Sequence, residues 1–179
     1  MSKRCVFMFG RMNPCHLGHG RVFEKALQLQ DSTTDVKLFL SASFDPKKNP
    51  LPREVRQYYI SEFFPEIKDS IQDTNINNLF DIMKSLDTYY SDVIFVGGSD
   101  RASSFQELLL KYNNKQYSFD SISTVLAGTS REESMFSSTL MRNAVQKDDF
   151  STFKICLPGD NEYLKYDMFT GVKQYMKNI

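Results

Sequence analysis

Both histidines of the 179-residue chain lie in one run, Gly10-Arg11-Met12-Asn13-Pro14-Cys15-His16-Leu17-Gly18-His19-Gly20. An apolar stretch ends just before this run and an amphipathic one begins inside it, so the two imidazoles stand at a predicted helix start. Free backbone N–H groups and a partial positive charge collect at such a terminus, and Gly10, Gly18 and Gly20 let a bulky anion come close to the main chain. Imidazoles in that setting suit the binding and transfer of a phosphate group. The same residues have a purely structural reading, in which His16 and His19 cap the helix and satisfy loop carbonyls while Gly, Pro and Asn supply turn chemistry.

The elements that position this loop follow from hydrophobic periodicity. Cys5, Val6, Phe7, Met8 and Phe9 form an apolar run closed by Gly10, the pattern of a fully buried parallel strand over 4–9. Residues 18–30 carry Val22, Phe23, Ala26 and Leu27 as one helical stripe, and 36–42 is a second buried strand. A loop with three prolines and two lysines occupies 44–52, and a helix over 53–64 turns Val55, Tyr59, Ile60 and Phe63 inward. A weak third strand (70–73), a helix (77–90) and a strand (92–96) stopped by Gly97-Gly98 come next. A short helix (104–111), a fifth strand (121–127) and helices over 138–147, 150–157 and 163–176 complete the chain. Strands alternating with helices predict an α/β fold, a doubly wound parallel sheet of about five strands with helices on both faces. Ligands of such sheets bind outside the carboxyl ends of the strands, so the loops after Phe9, Ala42 and Val96 and before Ser138 are where chemistry belongs.

Composition narrows the alternatives. The 22 Lys and Arg balance 22 Asp and Glu, which disfavours nonspecific nucleic-acid binding, since that needs a clustered cationic excess. The 15 Phe and nine Tyr fall mostly on inward faces and read as core, with Tyr58, Tyr59, Tyr112 and Tyr117 as candidate stackers. Apolar stretches fall far short of the roughly 18–20 residues that span a bilayer, and no signal-peptide core is visible, so no membrane partner and a cytoplasmic location are expected, the host cytoplasm if the chain is viral. Cys5, Cys15 and Cys156 are odd in number and show no metal-like spacing, so three free thiols are expected.

The first loop resembles the G-R-F-x-P-x-H-x-G-H loop of the nucleotidyltransferase superfamily that carries the H-x-G-H signature. That superfamily includes nicotinamide mononucleotide and pantetheine-phosphate adenylyltransferases and the glycerol-phosphate and choline-phosphate cytidylyltransferases. Phe136-Ser137-Ser138-Thr139-Leu140-Met141-Arg142 is similar to its I-S-S-T-x-x-R segment, again at a predicted helix start. Leu51-Pro52-Arg53-Glu54-Val55-Arg56-x-x-x-Ile60 and Val96-Gly97-Gly98-Ser99-Asp100 resemble two weaker segments in the same order. The departures are Cys15, where many members carry a bulky apolar residue, Pro or Thr, and Phe136 in place of Ile. The loop from Asp45 to Leu51 also resembles stand-alone members in tailed bacteriophages.

The resemblance implies a Rossmann-like fold over residues 1–158, with 159–179 as a C-terminal helical extension of the same domain. It implies transfer of a nucleoside monophosphate, AMP favoured over CMP, from an NTP to a phosphate-bearing small molecule such as nicotinamide mononucleotide, with release of pyrophosphate. Such a transfer needs alignment and charge neutralisation more than a strong nucleophile. His16 would donate to the bridging and α-phosphate oxygens and His19 to the β- or γ-phosphate. Arg142 would hold the leaving pyrophosphate, with Ser137, Ser138 and Thr139 adding donors. Lys47 would join the catalytic set, and Lys48 and Arg56 would hold the acceptor. Gly10, Arg11, Asn13, Gly18, Gly98 and Asp100 would shape or line the nucleotide site. Asp100 has three candidate roles, on a ribose hydroxyl, on the acceptor or near the metal, and an alternative as a plain cap. Mg²⁺ is expected with ATP or CTP, held by phosphate oxygens and water rather than by a protein cage. The alternatives are a cytidylyltransferase on a sugar or alcohol phosphate and a noncatalytic nucleotide-binding module; a homo-oligomer stays open.

Overall fold

The computed structural model describes residues 3–76, 78–127 and 135–177. Its centre is a parallel sheet of β1 (Arg4–Gly10), β2 (Thr34–Leu40), β3 (Asp92–Gly97) and β4 (Ser121–Leu126), in the order β2-β1-β3-β4. Gly10 pairs with Leu40, and Gly97 with Leu126, so the carboxyl ends of the strands lie together on one rim.

Period-two alternation decides which helices cover which face. From β1, Val6 and Met8 enter one core with Val36, Leu38 and Leu40 of β2, while Cys5 and Phe7 enter a second with Phe39, Val93 and Phe95. The first core is closed by α1 (Leu17–Gln28), α2 (Arg53–Phe63), α5 (Ser138–Gln146), α6 (Phe150–Lys154) and α7 (Glu162–Lys177), the second by α3 (Leu79–Asp87) and α4 (Ser99–Tyr112). In α2 the buried side chains are Arg56, Tyr59, Ile60 and Phe63, the expected inward stripe plus an arginine. The three cysteines are buried and unpaired.

The sheet has four strands, one fewer than expected, because 70–73 does not form a strand. Pro65–Ser70 is a 3₁₀ turn, and the chain then touches β2 through one parallel bridge, Ile71 to Leu38, with the Gln72 N–H donating to the Leu38 carbonyl at 2.9 Å. Ile71 is the only apolar residue of the segment, and Arg53 Nη2 takes the Gln72 carbonyl at 2.7 Å, so neither burial nor the ladder continues. A second difference matters more for the site. Helix α4 starts at Ser99, not at 104, because the Gly98 carbonyl accepts from the N–H groups of Arg101 and Ala102, both at 3.1 Å. Only Ala102 among residues 99–104 is apolar, which hides this first turn from a periodicity argument.

Candidate active site

Where β1 ends at Gly10 the chain crosses the sheet rim and enters α1 through His16, an N-cap in extended conformation. The N–H of Gly18 donates to His16 Nδ1 at 3.0 Å, and the N–H of His16 donates to His19 Nδ1 at 3.1 Å, a reciprocal capping box made of two imidazoles. An Nδ1 that accepts from a backbone N–H carries no proton, so in the neutral ring the proton sits on Nε2. Burial lowers the His16 pKa to about 4. Burial, then the neighbouring His16 and Arg101, hold His19 well below its ordinary value. Both rings are therefore neutral near pH 7, 3.8 Å apart between centroids, and each offers one Nε2–H that no described residue accepts. The structural and chemical readings of the pair hold together, since capping uses the Nδ1 edges and leaves the Nε2 edges.

The glycines act differently from expectation. A Cβ at Gly18 would lie 2.8 Å from His16 Cε1, and one at Gly20 would lie 2.5 Å from Phe64 Cε1, so both serve packing inside the protein. At Gly10 a Cβ would make only ordinary contacts, the nearest at 3.5 Å.

The loop's carbonyls are held from three sides. Arg56, buried, donates through Nη1 to the Arg11 carbonyl at 2.7 Å and through Nη2 to the Ser41 carbonyl at 2.6 Å. Arg142 Nη1 donates to the Asn13 carbonyl at 2.8 Å, and Ser138 Oγ to the Pro14 carbonyl at 2.7 Å. The Asn13 carboxamide exchanges hydrogen bonds of 3.0 and 2.9 Å with the backbone of Leu51. Met12 sits between these ties at φ 48°, in the left-handed region that bulky residues rarely adopt.

These elements enclose a cleft of about 420 Å³. Gly10, Arg11, Met12, Asn13, His16, Gly18 and His19 line it from the first loop, Lys48 and Asn49 from the loop after β2, Gly97, Gly98 and Arg101 from the β3–α4 junction, and Phe136, Ser137, Ser138, Thr139 and Arg142 from the start of α5. Twelve of the fifteen positions expected at the site line this cleft; Lys47 and Arg56 do not. Lys47 is exposed and outside the lining; Arg56 is engaged by two carbonyls behind the loop, the position of a clamp. Asp100 lies in the first turn of α4, and its side chain falls outside the described part of the structure. Ser137 caps α5 by accepting from the Leu140 N–H at 3.0 Å, and Thr139 Oγ1 accepts from Arg142 Nη2 at 3.1 Å. Sequence reasoning missed Arg101, which the early start of α4 brings over Gly10, with Nη1 3.9 Å from where a Cβ there would stand. The signal was present in Gly97-Gly98 at a strand's carboxyl end, followed by an arginine one helical turn on.

Lys48, Arg101 and Arg142 face a lining without any carboxylate among its described residues, and burial followed by the charge of Arg11 lowers the Arg142 pKa. Two neutral donors, the four cations Arg11, Lys48, Arg101 and Arg142, and three helix starts suit a polyanion. No group of three or more His, Cys, Asp or Glu among the described residues could hold a metal ion, so this donor set fits a cation that arrives with the anion's own oxygens.

The cleft thus lies on the carboxyl rim of a parallel α/β sheet, where ligands of such sheets bind. The chain belongs to the cytidylyltransferase-like family, whose model matches residues 7–155. Solved structures share the fold. A protein described as a nicotinate-nucleotide adenylyltransferase from Vibrio parahaemolyticus is 17% identical, with a TM-score of 0.61 over 94% of this chain and 99% of its own. The Plasmodium falciparum nicotinic acid mononucleotide adenylyltransferase, solved with NaAD, is 14% identical, with a TM-score of 0.61 over 97% of each chain. No curated protein matches the sequence. No helix among the described residues is long and apolar enough to cross a membrane.

Proposed function

We propose that the chain transfers AMP from ATP to a phosphate-bearing small molecule and releases pyrophosphate. The observation that carries this reading is the pair of neutral Nε2–H donors set beside Lys48, Arg101 and Arg142 in one cleft. An acceptor phosphate oxygen attacks the α-phosphorus; a new P–O bond forms as the bond to the bridging oxygen breaks, and the electron pair leaves with pyrophosphate. His16 donates to the α-phosphate and bridging oxygens, where charge develops, and His19 to the β- or γ-phosphate. Neutral imidazoles fixed by capping need no reorganisation during the step, which is the condition for strong electrostatic catalysis. Arg142 and Arg101 hold the departing pyrophosphate, the start of α5 adds Ser138 and Thr139, and Lys48 holds the acceptor. Mg²⁺, when bound with the triphosphate, offsets charge on it and on the leaving group. The form of the first loop and the adenylyltransferase descriptions of both neighbours favour AMP, while the family's name keeps CMP transfer to a sugar or alcohol phosphate as the second reading. Buried thiols accord with work in the cytoplasm.

The test is pyrophosphate release with Mg²⁺, ATP or CTP, and a panel of nicotinamide mononucleotide, phosphopantetheine, glycerol 3-phosphate, phosphocholine and ribose 5-phosphate. Release that needs one nucleotide and one acceptor supports transfer and names both substrates. Tight nucleotide binding with no release for any pair favours a binding module instead.

A further inference from the structure

Two asparagines border the cleft, and they differ in one respect. Asn13 uses its carboxamide on both backbone groups of Leu51. Asn49 is 5% exposed and lines the cleft, yet its Oδ1 is buried without any hydrogen-bond partner. A buried acceptor left unpaired costs more than the bond it would make, so native structures rarely retain one without a use.

The backbone that carries this side chain is fastened. The Asn49 N–H donates to the Asp45 carbonyl at 2.7 Å, and the Asp45 N–H donates back to the Asn49 carbonyl at 3.2 Å. Asp45 Oδ1 accepts from the N–H groups of Lys47 and Lys48, both at 2.8 Å, closing the loop into a rigid turn. Lys48, next in sequence, lines the same part of the cleft. This loop follows β2, at the edge of the sheet, so Asn49 and Lys48 border the cleft on the side away from the β3–α4 junction that carries Arg101.

We propose that Asn49 reads a hydrogen-bond donor, an O–H or amide N–H, on the acceptor substrate, while Lys48 takes that substrate's phosphate. This rests on the transfer reading above and narrows it. The acceptor is an organophosphate bearing a hydroxyl or amide near its phosphate, as in a ribosyl, glyceryl or pantetheinyl phosphate. A phosphate ester carrying only a quaternary ammonium leaves Oδ1 unpaired and is rejected.

The test compares the wild type with Asn49→Leu, which keeps the branched shape and removes the orphan acceptor. Binding of nicotinamide mononucleotide, ribose 5-phosphate, glycerol 3-phosphate, phosphopantetheine and phosphocholine is titrated calorimetrically in the presence of Mg²⁺ and a nonhydrolysable ATP analogue, and turnover with ATP is followed in parallel. At least one donor-bearing phosphate binds the wild type in preference to phosphocholine, and the variant weakens it by about tenfold or more, the loss of one hydrogen bond, with ATP-analogue affinity unchanged. The ligand-free variant keeps a cooperative thermal transition, so the lost affinity is read on a folded protein. Preference for phosphocholine, binding of none of the five, or unchanged acceptor affinity in the variant overturns the proposal. Selective binding without pyrophosphate release leaves Asn49 in its role and removes transfer; release with phosphocholine does the reverse.

Discussion

At the scale of single residues the site depends on what each imidazole does with its two nitrogens. Nδ1 of His16 is fixed by the Gly18 N–H, so removing the ring loses a cap as well as a donor. Asparagine separates the two, since it is among the best N-cap residues yet does not extend to where Nε2 lies. His16→Asn is expected to fold and bind nucleotide as the wild type does while kcat falls about 10²–10³-fold, the usual loss for one preorganised donor; equal kcat in a pyrophosphate-release assay would remove His16 from the chemistry. Protonation gives a second expectation. With the folded pKa near 4 and the unfolded value near 6.5, only the unfolded chain takes up a proton between those limits. The stability tied to the neutral ring is thus complete above pH 6.5 and is lost as pH falls toward 4, by about 3 kcal/mol for His16. Urea melts from pH 7 to 4.5 should show this slope, and it should be shallower in His16→Asn. NMR should show the Nε2–H tautomer for both rings throughout neutral pH.

Between residues and the whole lie the elements, and here two neighbouring glycines separate stability from activity. A methyl at Gly18 meets the ring of His16, while one at Gly20 meets Phe64, an aromatic of the core in edge contact with Phe23 at 5.3 Å. Gly20→Ala should therefore destabilise by about 1–3 kcal/mol, the cost of overpacking, with kcat retained below the new melting point. Gly18→Ala should lower kcat at least as strongly as it lowers stability, because the group it displaces is the donor. Activity and melting curves on the two variants decide it, and equal effects on both would mean that His16 tolerates displacement. The same scale shows how far the sequence could be read. The period-two runs of β1 and β3 and the α2 stripe carry their burial in their own spacing, and the Ser137 cap carries the start of α5. The opening turn of α4 does not, because its stabilising contact is the Gly98 carbonyl rather than any side chain, so Arg101 stayed hidden. Nor does local pattern report that the Arg56 guanidinium engages two carbonyls from different loops, or that Asn49 lacks a partner, since both depend on chain segments brought together only by the fold.

For the molecule as a whole the question is how the rim loop stays rigid enough to fix donors, and the answer runs through the C-terminus. The N–H of Leu17, first residue of α1, donates to the carbonyl of Cys156 at 2.9 Å, just beyond α6. Helix α6 is held by α7 through Phe153 against Phe169, ring centroids 5.3 Å apart, and α7 is held to α2 by Tyr59 Oη donating to Asp167 at 2.8 Å. Met168, Phe169, Val172 and Met176 of α7 are buried in the core that also contains Val6 and Met8 of β1. The family match ends at residue 155, so α7 lies beyond the matched region, yet its packing makes it part of the support of the site. Burying four such side chains contributes on the order of 6–12 kcal/mol, comparable to the whole stability of a typical domain at about 5–15 kcal/mol. A chain ending at Gly159 is therefore expected to lose its cooperative thermal transition, and with it nucleotide binding, whereas the full chain melts as one unit. Circular dichroism on both forms checks this. A truncated chain that melted cooperatively and still bound ATP would show that the rim loop needs only the matched region, and that α7 is an appendage to a domain complete without it.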